Sequence, residues 1–314
     1  MGLLTRIFNH AGKKRKNKMA TGSGGSHRGE YLLGKKTPFE LTEAFRNLKA
    51  TISVSVPKKE SGGVAIMVTS SYPEEGKTTV AVNLSVMFAQ SNAKVILLDC
   101  DIRKGRVAKY FGEKSAPGLS DYLSGQVDLA GSIKTAKVYG GEFDYISCGT
   151  RSPKPYELLE SEGMTTLLNE LRTKYDYIIV DTPPVLLVSD ALALAPKMDG
   201  TVVVCRHMES YVSDIARTLN SLTFVKANML GVIVNDYEEK VQKGYSYGGY
   251  KKGYYSRYGY KYGYRYEYGS TNPEDTAVED AEVEAVAAET PVDAPAETPA
   301  TPATEAPTDG GAEA

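Results

Sequence analysis

Cysteine is scarce in this chain: Cys100, Cys148 and Cys205 are its three, and they stand far apart. Without paired spacing they exclude a disulfide framework, a cysteine-based zinc site and a Cys-x-x-Cys redox centre, so a reducing compartment is expected. Long hydrophobic runs are also missing, since none approaches the roughly 20 apolar residues of a membrane-spanning helix. The opening MGLLTRIF followed by KKRKNK reverses the order of a secretory signal, and Arg6 stands where a myristoylation pattern needs Ser or Thr. The expectation is a protein that is not itself transmembrane. Basic residues are absent after Gly269, whereas Arg6, Lys13, Lys14, Arg15, Lys16 and Lys18 crowd the start. The net charge of −2 therefore averages two unlike ends.

What is present divides the chain into four parts. Residues 1–36 are basic and Gly/Ser-containing, and are expected to form a flexible arm that is either a solvated tail or a contact for anionic lipid. From Thr37, Phe39, Leu41, Phe45, Leu48 and Ile52 recur at helical spacing, with Thr37 and Pro38 suited to the cap and first helical position. Short β-branched runs then alternate with amphipathic stretches. Strands are expected at 63–70, 94–99, 143–148, 175–181, 201–205 and 229–235. Continuously apolar strands alternating with helices predict an α/β domain over 37–236, a doubly wound, mostly parallel sheet covered by helices on both faces. Residues 237–269 are dominated by Tyr, Gly and Lys/Arg without hydrophobic periodicity. Residues 270–314, rich in Ala, Pro, Thr, Glu and Asp, have no means of building a core and read as a disordered acidic tail.

Chemistry concentrates in the α/β part. The segment SYPEEGKT, residues 71–78, follows a strand and opens a helix. It fits the P-loop pattern with Ser71 at the first glycine position. Ser71, Glu75, Gly76, Lys77, Thr78 and Thr79 form the expected phosphate-binding set: backbone N–H groups cradle phosphates, Lys77 reaches the terminal oxygens and Thr78 offers a hydroxyl to Mg²⁺. VILLDCD delivers Asp99 and Asp101 to a strand end, the edge where such sheets bind ligands. YDYIIVD ends in Asp181, at the position of the Mg²⁺-holding aspartate of P-loop hydrolases. The expected cofactors are ATP and Mg²⁺, with Thr78, Asp99 and Asp181 about the metal. Lys77, Asp99 and Asp101 are the expected catalytic residues, Asp99 as acceptor of a proton with Asp101 second. Arg103 or Arg106 is suited to steadying a transferring phosphoryl group. Asn235, closing the last strand, is placed either to meet an adenine edge or to cap its strand. Tyr72 occupies the position of the signature lysine of partition and division ATPases, which this chain lacks.

Taken with the P-loop, the segments LLDCDIRKG, APGLSDYLSG (116–125), CGTRSPKPYELLES (148–161) and YDYIIVDTPPVLLVSDALALAPKMDGTVVVCR resemble the bacterial tyrosine kinases of capsular and exopolysaccharide biosynthesis. The similarity runs from about Thr37 to Asp236 and extends to the tyrosine cluster. It implies an autophosphorylating protein-tyrosine kinase assembled as a homo-oligomeric ring. It further implies a separate transmembrane adaptor of the polysaccharide chain-length type with a cytoplasmic activating tail, a cognate tyrosine phosphatase, and a cytoplasmic location at the inner face of the cell membrane. Glu43, Arg46 and Lys49 resemble the family's self-association motif, with Lys49 replacing an arginine whose bidentate pairing lysine does not reproduce.

The tyrosine cluster comprises Tyr245, Tyr247, Tyr250, Tyr254, Tyr255, Tyr258, Tyr260, Tyr262, Tyr264, Tyr266 and Tyr268. Aromatics interleaved with Gly and Lys/Arg also suit single-stranded nucleic acid or self-association. With the kinase resemblance upstream they are expected to be phosphoacceptors, and no nucleic-acid partner is expected. Each phosphate would add about −1.5 to −2 charge beside Lys251, Lys252, Arg257, Lys261 and Arg265. Two rival readings are an ATPase switch of the ParA/MinD type, without protein phosphorylation, and a non-catalytic ATP-binding scaffold.

Overall fold

A computed structural model describes residues 3–8, 32–57 and 62–237. The tyrosine cluster, the acidic tail and most of the basic arm lie outside the described residues.

Eight strands form one sheet: β1 (Leu3–Phe8), β2 (Val64–Ser70), β3 (Val95–Asp99), β4 (Lys134–Val138), β5 (Gly141–Ile146), β6 (Tyr177–Asp181), β7 (Gly200–Arg206) and β8 (Met229–Tyr237). Their spatial order is β1-β8-β7-β2-β6-β3-β5-β4. Neighbours are parallel except the β4–β5 hairpin. Strands β2, β3 and β6 are buried at every position, which is why they read as unbroken apolar runs. The alternation of side chains along a strand then separates two cores. Val64, Ile66 and Val68 pack on one face with α1 (Phe39–Ser55) and α2 (Lys77–Ala89). Ala65 and Met67 pack on the other with α7 (Glu162–Lys174) and α8 (Asp190–Leu194). The short helices α3 (Val107–Tyr110), α4 (Leu119–Leu123), α5 (Leu129–Ser132) and α6 (Pro155–Glu160) and the longer α9 (Val212–Phe224) are the other α-helices among the described residues. This is the doubly wound arrangement expected.

Helix α1 buries Ala44, Phe45, Leu48 and Ile52 at spacings of three and four, the stripe expected of it. Its start differs by one residue: Pro38 is the N-cap rather than the first helical residue, because its ψ of 144° is extended. Thr37 turns its Oγ1 back to accept the Gly34 N–H at 2.8 Å. In α7 the Ser161 hydroxyl accepts the Met164 N–H at 3.2 Å and caps the helix, while Met164, Leu167, Leu168 and Leu171 face the sheet.

Two strands depart from expectation. The basic arm contains β1, paired parallel to β8 from Leu3↔Gly231 to Phe8↔Tyr237, a strand that the arm's composition did not predict. LLTRIF supplies β-formers, and the outer edge of β8 offers unpaired backbone donors and acceptors. Strand β4 went unpredicted because it lies at the other sheet edge and buries only Ala136, too weak a pattern to see.

Candidate functional site

Parallel pairing brings the C-terminal ends of β2, β3, β6, β7 and β8 to one edge of the sheet, the ligand edge of open α/β folds. Beyond β2 the chain turns through residues 71–76 and enters α2 at Lys77. Glu74 (φ 69°) and Gly76 (φ 98°) are both left-handed. At Gly76 a Cβ would also sit 1.9 Å from Asn235 Nδ2, so this glycine is required by backbone angle and by space. No side chain caps α2, leaving the amide groups of its first turn for an anion.

The loop is braced from several directions. Ser70 Oγ donates to the Tyr72 carbonyl (2.7 Å) and the Tyr72 N–H to Glu75 Oε2 (2.8 Å). The Ser210 hydroxyl bonds Glu75 Oε1. Thr218 Oγ1 donates to Ser71 Oγ (2.8 Å) and Asn235 Nδ2 to the Glu75 carbonyl (3.1 Å). Thr79 Oγ1 meets the Tyr110 hydroxyl at 2.6 Å. Ser71, Glu75, Thr79 and Asn235 thus use their side chains on the loop's own framework.

Lys77, Thr78, Asp99, Asp101 and Asp181 converge. Lys77 Nζ lies 3.3 Å from Asp101 Oδ2 and 3.6 Å from Asp181 Oδ1. Thr78 Oγ1 donates to Asp181 Oδ2 at 2.7 Å. Asp99 and Asp181 are register partners across β3 and β6. Asp99 accepts the Val107 N–H on Oδ2 (3.0 Å) and the Asp101 N–H on Oδ1 (3.3 Å). Asp101 Oδ1 accepts the Lys104 N–H at 2.9 Å. Three carboxylates and one ammonium are therefore buried together.

The electrostatics follow from that packing. Burial, then repulsion from Asp181, pushes the Asp99 carboxyl up to about 8, against the hydrogen bond from Val107. Burial likewise raises Asp181, opposed by Lys77 and Thr78. For Lys77 burial pulls downward, but Asp181, Asp101 and Asp99 together outweigh it and hold the ammonium charged. Asp181 Oδ1 is buried and accepts no hydrogen bond, so it fits a cation-holding role. Among the described residues no group of three or more His, Cys, Asp and Glu is arranged to enclose a metal alone. Mg²⁺ commonly uses one or two carboxylates and completes its shell with water and phosphate.

Other expected residues lie elsewhere. Arg103 is committed to Asp190, through Nε (2.7 Å) and Nη2 (2.9 Å). Glu43 and Arg46 pair with each other within α1, and Lys49 bonds the Ser91 hydroxyl. The phosphoacceptor tyrosines are outside the described residues. Ser210 and Thr218, which hold the loop, were missed because isolated hydroxyls carry no motif. Asp190 was missed because no spacing rule links it to Arg103.

A P-loop opening a helix at the C-terminal edge of a parallel sheet, with a lysine, a threonine hydroxyl and three aspartates converging on it, defines a P-loop nucleotide-binding protein. Residues 66–230, more than half of the chain, match the family model described as an AAA domain. The tyrosine-protein kinase Wzc of Salmonella typhimurium is 31% identical over 221 residues, 70% of this chain and 30% of that protein. The kinase domain of the Escherichia coli tyrosine kinase ETK aligns with a TM-score of 0.63 and 28% identity over 78% of this chain and 94% of that one. The VpsO kinase domain aligns with a TM-score of 0.54 and 31% identity over 62% and 98%. The chain belongs to the bacterial tyrosine-protein kinase family. It spans under a third of the length of the curated relatives it matches.

Proposed function

We propose that this protein is an ATP-dependent tyrosine kinase that phosphorylates the tyrosines of its own 245–268 segment and so regulates capsular or exopolysaccharide synthesis and export. The observation that carries the reading is the convergence of Lys77, Thr78, Asp99, Asp101 and Asp181 in a chain of this family.

The P-loop amides and Lys77 bind and orient the phosphates of ATP. Thr78, Asp181 and Asp99 would hold Mg²⁺, which when bound neutralises charge on the transferring group. A tyrosine oxygen forms a new bond to the γ-phosphorus as the bond from that phosphorus to the β–γ bridging oxygen breaks. ADP leaves with that electron pair, and the phenolic proton passes to the Asp99 carboxylate. An ordinary aspartate, near 3.9, is a poor partner for a phenol near 10. Burial in the metal-free protein raises Asp99 to about 8, in the direction of that match; bound Mg²⁺ would lower it again.

The family resemblance extends the proposal to a homo-oligomeric ring in which Glu43, Arg46 and Lys49 take part, to a transmembrane adaptor with an activating cytoplasmic tail, and to a cognate phosphatase. Work at the inner face of the membrane would then depend on that adaptor. Among the described residues no helix is long and apolar enough to cross a membrane. The domain limits at 36/37, 236/237 and 269/270 belong to the same proposal, with β8 closing the α/β part at Tyr237. The test is phosphotyrosine formation from Mg²⁺ and ATP, mapped by mass spectrometry with and without the adaptor's cytoplasmic tail. ATP hydrolysis without any phosphotyrosine would transfer the reading to an ATPase switch.

A further inference from the structure

Beside the carboxylate cluster lies a pocket of about 350 Å³ whose walls include Arg103, Lys104, Gly105, Arg106, Lys109 and Arg151 and no acidic residue. It shares no residue with the P-loop. Asp190 neutralises Arg103, and the Arg151 guanidinium is held by a 3.3 Å bond to the Arg103 carbonyl. Lys104, Arg106, Lys109 and Arg151 also line this volume, which is at the small end of ligand sites, about 300 to 1,000 Å³. Such a lining suits a compact dianion, above all a phosphate ester, which arginine binds with two parallel hydrogen bonds. Guanidinium groups also lie favourably over aromatic rings.

The pocket adjoins the candidate base. A Cβ on Gly105 would lie 2.7 Å from Asp99 Oδ2 and 2.4 Å from Cys148 Sγ, so only a glycine backbone separates pocket and carboxyl. The segment YGYKYGYRYEY, residues 258–268, carries tyrosine at every second position. In an extended chain, alternate residues share a side and stand about 6.6–6.8 Å apart. Before modification the segment is basic and the pocket repels it; one phosphate brings about −1.5 to −2 charge and reverses that.

We propose that this pocket binds a phosphotyrosine already formed on the tyrosine segment and so presents the tyrosine two residues away to Asp99, making phosphorylation of the run self-priming. The priming step rests on the kinase reading above; the binding site does not. The first arm of the test therefore uses no catalysis. Phosphatase-treated full-length protein, without ATP or Mg²⁺, is titrated with labelled peptides of residues 256–268 carrying either tyrosine or phosphotyrosine at 262, and with the acidic peptide 274–284. The phosphopeptide is expected to bind about tenfold tighter than either, from its charge-assisted hydrogen bonds. Combined Lys109→Gln and Arg151→Gln substitution, at two exposed positions, should abolish that preference, and Lys109→Arg with Arg151→Lys should keep it. Equal binding of the three peptides, or of the acidic and phosphorylated ones, overturns the inference. In the second arm, with Mg²⁺ and ATP, the primed peptide should show a lower KM than the unprimed one, the ratio returning to one in the double glutamine variant. Equal KM values refute the priming. If neither peptide is phosphorylated, the kinase reading fails while the binding arm still decides the pocket.

Discussion

Replacing Asp99 by asparagine should make the protein more stable at neutral and alkaline pH while removing its catalytic base. In the unfolded chain this carboxyl titrates near 3.9, whereas in the folded protein burial and Asp181 push it to about 8. Between those values the folded state holds a proton that the unfolded state has lost. The stabilisation from the raised value is complete below about pH 4 and is lost progressively as pH climbs toward 8, at up to about 1.4 kcal/mol per pH unit. From pH 5.5 to 7.5 this amounts to about 2–3 kcal/mol. Asparagine mimics the protonated acid: it keeps one oxygen for the Val107 amide at 3.0 Å and gives up the longer 3.3 Å contact from Asp101, costing about 1 kcal/mol. Urea denaturation followed by circular dichroism should show the variant about 1 kcal/mol more stable at pH 5.5 and about 3–4 kcal/mol more stable at pH 7.5. Parallel pH profiles for the two proteins would refute the assignment of that burial energy to Asp99.

Three further outcomes follow from the same geometry. Gly76→Ala should cost about 1–2 kcal/mol from its left-handed angle alone and more from the 1.9 Å approach to Asn235 Nδ2. Adding Asn235→Ala should recover the second part, so urea midpoints of the two single variants and the double should be non-additive. Arg103→Ala strands the buried Asp190 carboxylate and should destabilise by about 1–3 kcal/mol; thermal denaturation showing no change would contradict the pairing. Phosphotransfer by Asp99→Asn should fall by about 10²-fold or more in kcat, and an unchanged kcat would exclude Asp99 as the base.

The central strands were legible because β2, β3 and β6 are buried on both faces and read as unbroken apolar runs. Edge strands β1 and β4 lacked that signal: their pairing is decided by the open edges of β8 and β5 rather than by their own composition. The acids Asp99 and Asp181 stood out because each closes such a run, and parallel register then sets them side by side. Glu75 and Thr79 sit within the P-loop pattern, yet their side chains are spent on Ser210, Tyr72 and Tyr110. Apart from the Glu75–Tyr72 bond, which spans three residues, this bracing depends on tertiary neighbours more than 30 residues away, which no local pattern encodes.

The most direct measurement is phosphotyrosine mapping by mass spectrometry after incubation of the phosphatase-treated full chain with Mg²⁺ and ATP, in the presence of an adaptor's cytoplasmic tail, beside Lys77→Met and a variant truncated after Asp236. Phosphate on tyrosines 245–268 that disappears with Lys77→Met is the predicted result. ATP turnover with no phosphotyrosine in any sample would contradict the account.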